Sequence, residues 1–275
     1  MSRDYAVMGF PVSHSLSPEI HSIFASQEKI KLHYEKIEVS SGSFSDAADA
    51  FFGQGGLGLN VTVPFKVDAY AYASRLNDLA EQAGAVNTLA RGEGGLVSGH
   101  NTDGLGLVRD LEARHGWALN GARLIILGAG GATRGVIVPL LARGVEEIII
   151  ANRTVDKAEA LVGLFSTLMP GAKLSVCSLA DAAECEADVV INGTSLGLSS
   201  GDITLAPELV RGRHCYDMSY GNNARFAHWA SHQGAISAVD GLGMLIEQAA
   251  ESFAIWHQVR PDTNLAFAKI REQIG

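Results

Sequence analysis

The first hundred residues alternate between two periods of apolar positions. The segments YAVMGF, LHYEKIEV and GLNVTV predict short strands, whereas SPEIHSIFASQ and SFSDAADAFF predict helices. The first helix has Ser17 as its predicted N-cap and Pro18 as its first helical residue. Residues 66–82 have a helical composition, and residues 85–101 predict two short strands joined by a glycine-rich turn. This region is therefore predicted to form an α/β domain.

The predicted strands become continuously apolar beyond residue 121. They lie in ARLIILGAGG, EEIIIANR, KLSVCS, ADVVINGTS, HCYDMSY and AISAVDG. Helices are predicted between them, at 132–143, from Val155 onward and at 224–231, and Pro139 is expected to kink or shorten the first. Strands this apolar are typical of a parallel sheet that helices cover on both faces.

Further helices are predicted on either side of this block. An amphipathic helix, TDGLGLVRDLEARHG, has Asp103 near its N-terminus, and LGMLIEQAAESFAIWHQV is followed by a short helix that ends the chain. The predicted fold class is therefore α/β, with an N-terminal α/β domain, a Rossmann-like parallel-sheet domain and C-terminal helices.

Composition narrows the possible function classes. With 47% hydrophobic and 19% charged residues and a net charge of −9, we expect a globular protein whose main partner is neither nucleic acid nor a membrane. No apolar run reaches the roughly 18 residues of a membrane span, and the N-terminus lacks the features of a secretory signal. Cys177, Cys185, Cys215 and the nine histidines lack zinc-ligand spacing, which predicts buried free thiols, a reducing cytoplasmic location and no metal.

A glycine-rich turn follows the first strand of the second block. Gly128, Gly130 and Gly131 stand between an apolar strand and a helix, where glycines let the backbone approach a pyrophosphate and the helix N-terminus supplies amide donors. Thr133 occupies the third glycine position of the dinucleotide fingerprint. The sequence predicts a dinucleotide site, with a tight strand–helix turn as the alternative.

The end of the next strand indicates which dinucleotide binds. An NAD site usually has an acidic residue there for the ribose 2′-hydroxyl, but this strand ends in Asn152, Arg153 and Thr154, with Lys157 close behind. Arginine can bind a 2′-phosphate, which an acidic residue would repel. NADP(H) is therefore the predicted cofactor, and an exposed surface arginine without a ligand is the alternative.

A set of polar residues surrounds an unexpected lysine, Lys66, in the segment NVTVPFK. Asn60 and Thr62 alternate with valines along the strand, so both polar side chains are predicted to face the same side. The segments SHSLSP, GAVNTL and HNTDG add hydroxyl, amide and carboxylate groups from Ser15, Ser17, Asn87 and Asp103. Singly, each has a structural explanation as a cap, a turn residue or a helix N-terminal charge. Together they suit a small polyhydroxylated acid.

These motifs resemble those of the shikimate dehydrogenase family. The resemblance rests on SHSLSP, NVTVPFK, GAVNTL, HNTDG, GAGGATRG, NRT, NGTSLG, DMSY and DGLGMLIEQAAESFAIW, which follow the family's order along about the whole chain. It implies an oxidoreductase that reversibly reduces 3-dehydroshikimate to shikimate with NADPH, a step of chorismate and aromatic amino-acid biosynthesis. It also implies a substrate-binding domain of residues 1–103 and 242–275 around an NADP-binding domain of residues 104–241.

The resemblance further implies roles for individual residues. Lys66 and Asp103 match the family's catalytic pair. The substrate-binding positions match Ser15, Ser17, Asn60, Thr62, Lys66, Asn87, Asp103, Tyr220 and Gln248. The cofactor-binding positions match Asp78, Gly128, Ala129, Gly130, Gly131, Ala132, Asn152, Arg153, Thr154, Lys157, Thr194, Met218 and Gly241.

One segment departs from the family pattern, and two other functions stay open. After Tyr220, the segment GNNARF lacks the Thr-Pro typical of the family. The first alternative is a quinate/shikimate dehydrogenase that prefers NAD, against which Arg153 argues. The second is a non-catalytic metabolite sensor, which would not need both Lys66 and Asp103. The expected partner is a small-molecule substrate, and the expected assembly is a monomer or a homodimer.

Overall fold

A computed structural model of the chain describes residues 3–194 and 203–274; the end of the NGTSLG motif, from Ser195 onward, lies outside them. The chain divides into two compact units: one contains the residues up to Gly106 together with Leu245–Gln273, and the other contains Leu107–Met244. Among the described residues, no helix is long and apolar enough to cross a membrane.

The helices and strands are numbered here along the chain. The strands are β1 Arg3–Gly9, β2 Leu32–Glu38, β3 Gly58–Val61, β4 Arg75–Leu76, β5 Thr88–Arg91, β6 Val97–His100, β7 Arg123–Leu127, β8 Glu147–Asn152, β9 Leu174–Ser178, β10 Val189–Asn192, β11 His214–Asp217 and β12 Ser237–Asp240. The helices are α1 Ser17–Gln27, α2 Phe44–Gly53, α3 Lys66–Tyr72, α4 Asp78–Ala83, α5 Asp103–Arg109, α6 Gly131–Leu141, α7 Val155–Leu168, α8 Arg225–His232, α9 Leu242–His257 and α10 Asn264–Ile274.

The first unit is built on a mixed sheet with the strand order β2-β1-β3-β5-β6-β4. Strand β1 pairs in parallel with β2 and β3, and β4 pairs in parallel with β6, whereas β5 is antiparallel to both β3 and β6. Apolar residues from β1, β3 and helices α2 and α3 pack into one buried cluster that includes Phe44, Phe52 and Phe65. Burial of this aromatic surface is the main force that holds the helices on the sheet.

Three local predictions in the first unit were wrong in detail. Leu16, and not Ser17, occupies the N-cap position of α1. The predicted strand 58–63 ends at Val61, since the chain turns before Pro64, and Val63 is 67% exposed. The helical region 66–82 is two helices with β4 between them, because Ala73 is extended and Asn77 starts a new helix by accepting a hydrogen bond from the Ala80 amide at 2.9 Å.

The second unit is built on an all-parallel sheet with the strand order β12-β11-β10-β7-β8-β9. Read from β9, this is the 3-2-1-4-5-6 order of the Rossmann fold, in which the order reverses between β7 and β10. The central strands are buried throughout, as their continuous apolar runs predicted. The predicted α/β fold class, with a Rossmann-like domain and C-terminal helices that return to the first unit, is confirmed.

Two helices of the second block differ from their predicted form. Helix α6 retains Pro139 within its last turn and ends at Leu141, so the predicted bounds of 132–143 begin one residue late and end two residues late. The predicted helix 102–116 is α5 followed by a π-helical turn, Asp110–Arg114. In this turn the fully buried Asp110 accepts hydrogen bonds from the Tyr216 hydroxyl at 2.7 Å and from Arg114 at 3.1 Å.

Candidate active site

The lysine that follows the third strand is paired with an aspartate of the first unit. Lys66 begins α3 and Asp103 begins α5, and the Lys66 Nζ lies 2.5 Å from the Asp103 Oδ2. Their side chains are 23% and 9% exposed, respectively. The pair is thus shielded from most solvent but is still open on the lysine side, as a proton donor that must meet a ligand requires.

Asn87 holds the carboxylate of this pair in place. Its Nδ2 donates to the Asp103 Oδ1 at 2.9 Å, to the Thr102 Oγ1 at 2.8 Å and, at 3.3 Å, to the Gln248 Oε1. Its Oδ1 accepts from the Thr102 amide at 2.9 Å. One buried amide therefore fixes the start of α5 and connects it to Gln248 on α9.

A second layer of buried polar groups lies beneath Asn87. Asn60 is 6% exposed, and its Nδ2 donates to the Ser252 Oγ at 3.0 Å and to the Thr88 Oγ1 at 3.2 Å. The Asn60 Oδ1 accepts from the Tyr34 hydroxyl at 2.7 Å. These partners occupy the hydrogen-bonding atoms of the Asn60 amide. The contacts of Asn60 therefore orient the neighbouring side chains of the site.

The other predicted substrate residues of the first unit are close to backbone turns. The Ser15 Oγ donates to the Ser17 Oγ at 3.1 Å and accepts from the Ser17 amide at 3.3 Å. Thr62, half-buried, follows β3, and its methyl group would lie 2.4 Å from a Cβ placed on Gly9, so the absence of a side chain at Gly9 makes room for it. Ser17 is buried and Ser15 is half-buried.

Sequence reasoning missed four members of this network: Tyr34, Thr88, Thr102 and Ser252. Two of them, Thr88 and Thr102, lie inside the motifs GAVNTL and HNTDG, beside residues that were predicted. Ser252 follows Gln248 by four residues, which places both on one face of α9. That helical spacing was the signal that could have identified Ser252; Tyr34, on an alternating strand, gave none.

The glycine-rich turn of the second unit has the conformation that a pyrophosphate site needs. Gly128 has φ +99°, a left-handed region that favours glycine. A Cβ on Gly130 or Gly131 would meet no atom within 4 Å, so the space above the turn is open. Among the described residues, no side chain caps α6, whose N-cap is Gly130. Its first amides therefore point to open space, and the turn fits a pyrophosphate.

The residues predicted for the adenosine phosphate stand at the end of the neighbouring strand. Asn152 ends β8, and its Nδ2 donates to the Thr154 backbone oxygen at 2.7 Å, which fixes the bend into α7. Arg153, Thr154 and Lys157 are exposed. An arginine and a lysine on this bend provide the charge that a 2′-phosphate would require.

Three further predicted cofactor residues gather at the carboxyl ends of β10 and β11. The methyl group of Thr194 would lie 2.8 Å from a Cβ placed on Gly128, and the Met218 amide donates to the Asn192 backbone oxygen at 2.9 Å. A Cβ on Gly241 would lie 2.5 Å from the Met218 oxygen, so only glycine fits there. These groups lie beside the strand-order reversal, where Rossmann sheets bind their ligands.

A buried carboxylate underlies this edge of the sheet. Asp217 is 0% exposed, and burial raises its pKa to about 6 in spite of hydrogen bonds from Ser219, Asn192, Ala227 and Phe226 that favour the charged form. It therefore stays largely ionised at neutral pH, where it accepts hydrogen bonds from groups that otherwise would be buried without a partner.

Two predicted residues lie outside these groups. Tyr220, predicted for substrate, belongs to the second unit, where it follows β11 and burial raises its pKa. Asp78, predicted for cofactor, is an exposed residue in the first turn of α4, within the first unit. The roles of both stay predictions.

The comparisons with known proteins agree on one family. The family description "Shikimate dehydrogenase substrate binding domain" matches residues 7–89, "Shikimate / quinate 5-dehydrogenase" matches residues 110–200, and "Shikimate 5'-dehydrogenase C-terminal domain" matches residues 241–266. A relative from Alkalilimnicola ehrlichii, named Shikimate dehydrogenase (NADP(+)), is 51% identical over 99% of this chain and 100% of its own length. The NADP(+) in that name agrees with the predicted cofactor.

Solved structures share the fold of this chain over nearly its full length. The Ael1 enzyme from Pseudomonas putida is 38% identical, with a TM-score of 0.89 over 98% of both chains. Shikimate dehydrogenase from Aquifex aeolicus is 31% identical, with a TM-score of 0.88 over 98% of both chains. With full-length agreement in sequence and in fold, the chain belongs to the shikimate dehydrogenase family.

Proposed function

We propose that this chain is an NADP-dependent oxidoreductase that reversibly reduces 3-dehydroshikimate to shikimate. The observation that carries the proposal is the contact of 2.5 Å between Lys66 and Asp103, in a first unit whose other polar groups converge on the same carboxylate. The family assignment supplies the substrate, and this geometry supplies the group that can move a proton.

Lys66 is the proposed proton donor. When bound, NADPH supplies the hydride that reduces the substrate carbonyl carbon. The carbonyl oxygen then needs a proton, and the Lys66 ammonium donates it; in the oxidation, the amine takes a proton from the substrate hydroxyl. A positioned group of this kind is worth about 10²–10⁴-fold in rate.

Asp103 and its neighbours keep the donor in place. The carboxylate binds the ammonium through one oxygen and the Asn87 amide through the other, so it cannot rotate without losing a hydrogen bond. The hydroxyls and amides of Ser15, Ser17, Thr62, Asn87, Tyr220 and Gln248 form the proposed substrate set. For Asn60, the buried hydrogen bonds support a role through Asn87 and Thr88.

The second unit is proposed to hold the cofactor. The residues Gly128, Ala129, Gly130, Gly131 and Ala132 would bind the pyrophosphate through backbone amides, and Asn152, Arg153, Thr154 and Lys157 would bind the adenosine phosphate. The residues Thr194, Met218 and Gly241 would hold the nicotinamide end, and Asp78 is a further proposed cofactor residue. We expect Arg153→Ala to lower kcat/KM for NADPH about tenfold and to leave that for NADH unchanged. An equal loss with both cofactors would contradict the role of Arg153.

The proposal extends to domains, assembly and location. We assign residues 1–103 and 242–275 to substrate binding and residues 104–241 to cofactor binding. The free thiols support the cytoplasm as the location, although only Cys215 is buried as predicted, and Cys177 and Cys185 are half-buried. The proposed assembly is a monomer or a homodimer. Size-exclusion chromatography with light scattering would establish the oligomeric state.

An assay at 340 nm with shikimate and NADP⁺ tests the function directly. We expect NADPH to form, with a higher kcat/KM for shikimate than for quinate and for NADP⁺ than for NAD⁺. Lys66→Ala should lower kcat about 10²–10⁴-fold while NADPH still binds. No turnover by the wild-type chain would overturn the proposal, and unchanged turnover in Lys66→Ala would remove Lys66 from it.

A further inference from the structure

The carboxyl ends of β10 and β11 carry two buried polar residues that face each other. Asn192 ends β10, Asp217 ends β11, and the two residues are direct partners in the parallel register. Both are 0% exposed. Neither can therefore touch a ligand, yet both stand directly under the residues predicted for the nicotinamide end of the cofactor.

The Asp217 carboxylate accepts hydrogen bonds from four donors, one side-chain amide and three backbone amides. Its Oδ1 accepts from the Asn192 Nδ2 at 3.1 Å and from the Ser219 amide at 3.0 Å. Its Oδ2 accepts from the Phe226 and Ala227 amides at 3.0 Å and 3.4 Å. The carboxylate thus fixes the start of α8 and the turn that contains Met218. Four donors around one carboxylate define its orientation, which a neutral side chain cannot reproduce.

Asn192 passes this orientation on to Thr194. Because the Asn192 Nδ2 donates to Asp217, its Oδ1 must point the other way, where it accepts from the Thr194 amide at 3.1 Å and from the Thr194 Oγ1 at 2.6 Å. Thr194 in turn stands against the first glycine of the pyrophosphate turn, Gly128. A series of contacts therefore runs from Asp217 through Asn192 and Thr194 to the glycine turn after β7.

Met218 also lies beside the end of β10. A Cβ on Gly193 would lie 3.4 Å from the Met218 Sδ and 3.0 Å from the Thr133 Oγ1, so both side chains border the strand end at Gly193. The Thr133 Oγ1 itself donates to the Gly128 oxygen at 2.8 Å. The Met218 amide donates to the Asn192 backbone oxygen at 2.9 Å, which ties the Met218 backbone to the end of β10.

We propose that Asp217 and Asn192 form a positioning pair that shapes the binding site for the nicotinamide half of the dinucleotide through Thr194 and Met218. Asp217 is a positioning residue and not a catalytic one, since it is buried beneath the site. The inference rests on the proposed function. It predicts that damage to the pair weakens binding of the nicotinamide half and spares the adenosine half, which the bend after β8 is proposed to hold.

Two ligands separate these halves experimentally. NADPH probes the full site, and its fluorescence reports binding without turnover, whereas adenosine 2′,5′-bisphosphate probes only the adenosine end. For Asp217→Asn we expect the Kd of NADPH to rise about tenfold or more, because a buried acceptor of four hydrogen bonds is impaired, while the Kd of the bisphosphate is unchanged. The KM for shikimate, measured at saturating cofactor, should also be unchanged.

Asp188→Asn is the matched control. The Asp188 carboxylate also accepts a hydrogen bond from a backbone amide, that of Arg123, at 2.8 Å. Asp188 directly precedes β10, at the end of the strand opposite Asn192. It should leave the Kd values of both ligands unchanged. If Asp217→Asn does not fold, Thr194→Val is the second variant: it removes the hydroxyl that donates to Asn192 while it keeps the side-chain shape, and we expect the same selective loss.

The outcomes separate the inference from the function on which it rests. Equal weakening of NADPH and the bisphosphate in Asp217→Asn would mean general damage to the second unit and would overturn the positioning pair. Unchanged NADPH binding in both variants would overturn it as well. A wild-type chain that bound neither ligand would instead overturn the proposed function.

Discussion

Each of the two units contains a buried aspartate close to its proposed binding site, but the two carboxylates have different hydrogen-bond partners. Asp103 in the first unit is buried and has a cation, Lys66, beside one oxygen. Asp217 in the second unit is fully buried, and its donors among the described residues are one side-chain amide and three backbone amides, all neutral. A cation beside the carboxylate allows proton chemistry at the surface of the site, whereas neutral donors fix backbone geometry beneath it. The comparison teaches that a buried acid can indicate chemistry or architecture, depending on its partners.

The largest expected effect distinguishes the two aspartates by their kinetics. Asp103→Asn keeps an acceptor for Asn87 but removes the charge that holds Lys66, so we expect kcat to fall about 10²-fold or more while the Kd of NADPH is unchanged. Asp217→Asn should show the reverse pattern, with weaker NADPH binding and a near-normal kcat at saturation. Steady-state kinetics at saturating cofactor measure both. Equal losses of kcat in the two variants would remove the distinction.

The second prediction concerns acid sensitivity of the first unit. His21 is 0% exposed and stacks on Tyr34, with the ring centroids 4.6 Å apart. Burial, and then the nearby His257, lower its pKa from 6.5 to about 3. Between pH 6.5 and 3, His21 therefore binds a proton in the unfolded chain but not in the folded chain. The contribution of the buried, neutral His21 to the free energy of unfolding is lost as the pH falls through this range. The expected slope is about 1.4 kcal/mol per pH unit.

His21→Phe should remove this slope. Hydrogen–deuterium exchange of peptides from β1, measured between pH 5 and 7 and corrected for intrinsic exchange, reports the stability of the first unit separately. The matched control is His33→Phe, which replaces an exposed histidine on β2. A wild-type slope that persists in His21→Phe would show that other groups cause the acid sensitivity.

The third prediction gives the second unit the opposite sign. The pKa of Asp217 is raised by burial from 3.8 to about 6, so the folded chain holds a proton that the unfolded chain has released. Its contribution to stability is present below pH 3.8 and is lost as the pH rises through about 6. The free energy of unfolding of the wild type relative to Asp217→Asn should therefore fall by up to about 3 kcal/mol between pH 4 and 7. Exchange in β10 peptides measures it, and a difference that grows with pH would contradict the assigned pKa.

The smallest expected effect concerns a residue that supports the first site without touching it. Ser252→Ala removes the hydroxyl shared by Asn60 and Thr88 and should lower the free energy of unfolding of the first unit by about 1–2 kcal/mol. We expect kcat/KM to change much less than in Asp103→Asn. Ser231→Ala is the matched control, because this exposed helical serine also donates to a backbone oxygen within its helix, that of His228. Equal stability of both variants would show that the buried network adds nothing.

Much of the fold could be predicted from the sequence, because it depends on local periodicity. The continuous apolar runs of β7, β8 and β10 correctly predicted a buried parallel sheet, and the glycine turn after β7 predicts a dinucleotide site at its edge. Where the prediction was wrong, the difference lies at particular residues. Asn77 began a new helix within an apparently continuous one, and the chain left β3 two residues before Pro64.

The order of residues along the chain establishes which chemical groups are present: a lysine after a strand, an aspartate at a helix start, three glycines in a turn and an arginine where an acid is usual. Only the tertiary structure decided which of them meet. Lys66 and Asp103 are 37 residues apart, and Asn87 and Gln248 are 161 apart, yet hydrogen bonds join each pair. The reason is physical: periodicity depends on neighbours along the chain, whereas the partner of a buried polar group is set by whichever strands and helices the core brings together.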